Sequence, residues 1–159
     1  MRWLPNWPLP RPPAFVPGQM PRPAALRAPE PVDCPPDAWR SDEAYLYGVD
    51  LYSAGFVWEA HEAWESPWRA ATDAARRELL QGLIQVAAAA VKARAGRPSG
   101  VRTLAARGAK RLDTAAALAG SPVMGLDVSR FVSELGAWAS SPAPRFADRP
   151  KIRLEAQSR

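Results

Sequence analysis

A chain of 159 residues with 47% apolar and 23% charged residues is long enough to bury one sizeable core. No stretch approaches the roughly 20 apolar residues that a spanning helix needs. The start, MRWLPNWPLPRPP, lacks the unbroken apolar run of a signal peptide, and a single cysteine, Cys34, excludes an internal disulfide. These features predict a cytoplasmic protein with no membrane partner. The net charge of +5 and pI near 10.0 raise the question of nucleic acid. However, 18 of the 21 basic residues are arginine and they are scattered along the chain. On helices such residues form solvated faces, so nucleic acid is not the expected partner.

Twelve of the 18 prolines precede Trp39, which rules out long helices or central strands over residues 1–36. Trp3, Trp7, Phe15, Val16 and Met20 give this segment more apolar bulk than an inert linker carries. An extended arm lying on the domain surface is expected. The domain itself is predicted over 37–140. Asp37 can cap a first helix that passes through Trp39, Tyr45, Leu46 and Val49 to about Ser53, and Gly55 breaks it. A second helix follows from Phe56 to about Trp68 or Arg69, with Pro67 straining its last turn. The third, about Ala74 to Ala95, ends at Gly96 and Pro98. The fourth, about Pro98 to Leu118, carries Val101, Leu104, Leu112 and Leu118 at helical spacing and stops at Gly120 and Pro122. A short fifth spans about Val128 to Ala139. The basic segment 141–159 is expected to be loose. The fold class predicted is all-α, a compact bundle of about five helices with a proline-rich extended arm.

The stretch FVWEAHEAWESPWR, residues 56–69, holds the only histidine and three of the seven tryptophans. His61, Glu65 and Trp68 follow at i, i+4 and i+7, with Trp58 in the same arc. This puts imidazole and carboxylate on the face that the aromatics drive inward, whereas Glu59 lies well round the helix and is expected in solvent. A carboxylate on an apolar face is costly unless paired. The third helix offers partners in Gln81, Gln85 and Lys92, which share one side, and its small residues Gly82, Ala88 and Ala89 invite close approach. If the second and third helices pack antiparallel, the expected arrangement is a buried polar seam of His61, Glu65, Gln81, Gln85 and Lys92, with Lys92 neutralising Glu65.

Two chemistries are open at that seam, and a third, that of a zinc protease, fails. A zinc protease motif needs H-E-x-x-H, and HEAWE has glutamate where the second histidine belongs. A one-histidine carboxylate site for a divalent metal could use His61 with Glu62, Glu65 or Asp50, although no cofactor is expected. His61 and Glu65 could also act as a catalytic acid/base pair in a small-molecule hydrolase, with Trp58, Trp68, Gln81, Gln85 and Lys92 binding the ligand. Against these stands a purely architectural polar pair.

The runs YGVDLYSAGFVWEAHEAWESPWR and LLQGLIQVAAAAVKARAG resemble the domain-of-unknown-function 309 family, marked by H-x-x-x-E-x-x-W on one helix and LQGLIQ on the next. His61, Glu65 and Trp68 match the first motif, and Leu80 to Gln85 the second. PAFVPGQMPRP, residues 13–23, resembles an N-terminal element of bacterial members. The resemblance implies a compact helical bundle that can form a homodimer, and no particular activity. It also implies departures: a later family histidine aligns with Lys92, and the histidine of a P-H-P element with Arg22. Both are cationic here and would repel a metal. A binding or scaffolding role is therefore expected ahead of catalysis, with RNA binding through the arginine-rich fourth helix and tail as a further alternative.

Overall fold

The computed structural model describes residues 1–155. It is all-α, with five helices and, among the described residues, no strand beyond two isolated bridges. The helices are α1 (Glu43–Ser53), α2 (Val57–Ala70), α3 (Ala74–Arg94), α4 (Pro98–Ala119) and α5 (Val128–Ala139); neighbours in order pack on one another, α3 and α4 most extensively. Among these residues no helix is long and apolar enough to cross a membrane.

Helix ends follow local chemistry. Asp73 and Asp127 cap α3 and α5 by accepting the backbone N–H of Arg76 and Arg130, each such cap contributing about 1 kcal/mol. Gly55, Gly96 and Gly120 adopt positive φ in the links after α1, α3 and α4. One expected boundary is corrected. Asp37 does not begin a continuous first helix; Pro36–Ser41 is a short 3-10 turn, and Asp42 caps α1 by accepting the N–H of Tyr45 at 3.2 Å. The break falls at Asp42, whose backbone is non-helical and whose side chain also pairs with Arg76 of α3.

That core is aromatic around α1 and α2 and aliphatic beyond. On α2 the inward stripe is Val57, Ala60, Trp64 and Pro67. Trp64 is fully buried and donates its indole N–H to the Tyr45 carbonyl at 3.0 Å. α3 and α4 approach closely at Gly82 and Gly108, where a Cβ on either would lie 3.1 Å from the other's carbonyl oxygen. Gly82 thus admits α4, not α2 as the small-residue pattern suggested.

The arm lies on its own bundle. Asp50 of α1 accepts the N–H groups of Trp3 and Leu4 at 2.8 and 2.9 Å and faces Arg2 at 3.5 Å. Trp3 meets Trp39 edge-on, Trp7 meets Tyr47, and Phe15 meets Trp58.

The segment after Ser140, expected to be loose, instead packs back on the bundle through Glu155. Tyr52 donates its hydroxyl to the Pro150 carbonyl at 2.7 Å, and Trp138 its indole N–H to the Arg145 carbonyl at 2.8 Å. Phe146 lies between the Arg94 and Arg149 guanidiniums, and Ile152 is buried. Charge and proline suggested a solvated tail, but Arg149 lays its planar face on the Tyr52 and Phe146 rings. Residues 156–159 lie outside the described chain.

Burial pushes the phenols of Tyr45 and Tyr52 well above the ordinary tyrosine range. Above about pH 10 the unfolded chain releases these protons while the folded chain retains them. Stability should therefore fall as pH rises past that point. Urea midpoints measured between about pH 9 and 11 should decline less steeply for Tyr52→Phe than for the wild type. Parallel declines would mean that Tyr52 ionises as readily in the fold as outside it.

Candidate functional site

α2 divides its polar residues between two flanks, and the two have different surroundings. On one flank His61, Glu62 and Glu65 cluster. His61 Nδ1 is 3.6 Å from Glu62 and Nε2 is 3.4 Å from Glu65. The His61 and Glu65 side chains are about a quarter exposed, at 26% and 27%, so they sit at the edge of the bundle and not in its interior. Glu65 also accepts a hydrogen bond from Arg69 at 3.2 Å. Trp68, one turn on, lies under the Arg77 guanidinium at 5.1 Å.

The expected seam does not assemble. Among the described residues no side-chain hydrogen bond joins His61 or Glu65 to Gln81, Gln85 or Lys92; Glu65 is satisfied by Arg69. Gln81 is half-buried. Gln85 lines a groove between α3 and α4 with Glu78, Arg107 and Lys110. Lys92 lays its stem along Gly100 at the start of α4. The reason is register. Arg94, at the far end of α3, donates to the Gly55 carbonyl just before α2, so α2 and α3 do run antiparallel, as the seam requires, but in a register that sets the end of α3 beside the start of α2. Glu65 therefore lies near the 71–73 link, and Lys92 at the opposite end of the pair.

Glu59 lies on the other flank of α2, and there, next to Trp58, the arm closes over the bundle. Glu59, expected in solvent, is only 5% exposed. Its Oε2 accepts the backbone N–H of Phe15 at 3.1 Å, and its Oε1 is buried without a hydrogen-bond partner. Together with Phe15, Tyr47, Trp58 and arm prolines it lines a cavity of about 360 Å³, at the small end of ligand sites. The rings of Phe15 and Trp58 stand edge to face at 4.4 Å. Burial raises the Tyr47 phenol above its ordinary range, and its hydroxyl donates to the Pro8 carbonyl. An adjoining cavity of about 490 Å³ is lined by Arg22, Trp58 and Glu62, with the Arg22 guanidinium 5.8 Å from the Trp58 ring centre.

The residues therefore sort as follows. Trp58 lines both cavities and Glu62 the second, whereas His61, Glu65, Trp68, Gln81 and Lys92 line neither. The donor atoms of His61, Glu62 and Glu65 lie within 4.8 Å of one another and could hold a cation, with Arg69 as a standing competitor for Glu65. Asp50 cannot join them, because both of its oxygens hold the arm. Cys34 offers no activated thiol: burial, then the neighbouring Asp42 carboxylate, push its pKa up. Sequence reasoning missed Glu59, since its position on the helical wheel is outside the bundle face. The signal available was the bulk of Phe15 in the arm, which needs a surface to cover.

A family model described as Domain of unknown function (DUF309) matches residues 45–104, from α1 into α4. Trp58, Glu59 and His61 fall inside that span; the arm lies outside it. No curated protein and no solved structure matches the chain.

Proposed function

We propose that the chain, whose residues 45–104 match the DUF309 model, is a binding module whose small-molecule site is the arm-roofed cavity at Trp58 and Glu59. The observation that carries the reading is the Glu59 carboxylate, buried at the cavity wall with one oxygen unpartnered. A buried carboxylate lacking a partner is costly, and a ligand that satisfies it recovers that cost. A catalytic reading through His61 and Glu65 has less support, because that pair faces the bundle edge and Glu65 is already engaged by Arg69.

The test is a fragment screen followed by amide and indole NMR on the full chain. Binding fragments should shift the Trp58 indole and Phe15 amide signals, and His61→Ala should bind them as the wild type does. Fragments whose shifts centre on His61 and vanish in His61→Ala would favour the acid/base alternative.

The reading also involves no metal. Titrating zinc, manganese or iron(II) while following the single His61 ring should give no saturable response. A saturable response abolished by Glu65→Gln would assign a metal centre to His61, Glu62 and Glu65 instead.

A further inference from the structure

Resting on the cavity reading, we infer that the ligand is a small organic cation: an ammonium or amidinium head bonded to Glu59 Oε1, with an apolar body against the aromatic wall. Three observations converge on this class. First, the carboxylate has no ion-pair partner among the described residues. Arg94 is near enough to sense the Glu59 charge but does not pair with it: its Nη2 donates to the Gly55 carbonyl and its plane lies on the Phe146 ring, while its Nη1 is buried without a partner. Second, the roof is built largely of proline, with Pro8, Pro10, Pro13, Pro21 and Pro23 all lining the cavity. Proline has no N–H donor, so the roof offers a ligand few donors and suits one that brings its own. Third, Phe15, Tyr47 and Trp58 present ring surfaces, which attract a desolvated cation.

The lining cations do not oppose this. Arg11 and Arg27 are exposed, and Arg27 is turned over the Trp7 ring at 5.6 Å. They stand at the rim, where they can meet an acidic group at the outer end of a ligand.

The test uses three probes of matched shape on the full-length protein: cyclohexylmethylamine, cyclohexylmethanol and cyclohexanecarboxylate. Calorimetry and the Trp58 indole shift read binding. The amine should bind saturably, at least tenfold more tightly than the alcohol, and the carboxylate more weakly still. Glu59→Gln, which keeps an oxygen for the Phe15 N–H, should reduce the amine to the level of the alcohol. Equal binding of amine and alcohol by the wild type would overturn the cationic class while leaving the cavity reading intact. Failure of all three to move the Trp58 signal would overturn both. The wild-type comparison stands alone should Glu59→Gln fold poorly, and an unchanged amine preference in a folded Glu59→Gln would equally sink the assignment to Glu59.

Discussion

Replacing Asp42 by alanine should destabilise the fold by about 3–5 kcal/mol, the usual cost of stranding one member of a buried ion pair. Arg76 is fully buried and enters a carboxylate cage. Its Nε and Nη2 donate to Asp42 Oδ2 at 3.1 and 2.9 Å, and its Nη1 donates to Asp33 at 3.2 Å. Asp33 is the more exposed partner, and the Thr72 hydroxyl it accepts holds its carboxyl below the ordinary range. It therefore offers limited relief to a guanidinium that has lost Asp42. Alanine also removes the α1 cap. Asp42→Asn can keep the cap while losing the charge, so it should recover about 1 kcal/mol of the loss. Urea unfolding of the two variants separates these contributions. A loss below about 1 kcal/mol for Asp42→Ala, the worth of an exposed pair, would mean that water reaches Arg76.

Gly48→Ala should be of similar severity. A methyl group there would lie 2.0 Å from Trp64 Nε1 and 2.4 Å from two further indole atoms. Trp64 has no free space to retreat into, being fully buried and bonded to the Tyr45 carbonyl. Overpacking of this kind costs about 1–3 kcal/mol, and displacing the indole leaves a buried donor unpaired for roughly 1–3 kcal/mol more. In a Trp64→Leu background the methyl has room, so the double variant should lose less than the sum of the two single losses. Simple additivity in denaturant unfolding would show that the indole moves aside at no cost.

These two sites differ in how far they can be read from sequence. Asp42 and Arg76 are 34 residues apart, and nothing local marks them as partners. Gly48 sits within a helix, where a glycine usually signals lost stability, and only the indole against it explains its presence.

Sequence alone determined the helical class and most helix ends, because these depend on neighbours along the chain. Apolar residues recur at helical spacing, aspartates cap α3 and α5, and glycines at positive φ close α1, α3 and α4. It also marked α2 as chemically unusual and the arm as too apolar to float free. Which flank of α2 matters was decided by tertiary structure. Periodicity locates the face toward the bundle, but Glu59 is buried by Phe15, 44 residues earlier in the chain, and an arm without periodicity leaves no trace on a helical wheel. The same holds for Lys92, placed far from Glu65 by the register of α2 against α3, and for the tail, whose Arg149 stacks on Phe146 and Tyr52. Contacts between distant segments depend on the path of the whole chain, and local composition does not encode that path.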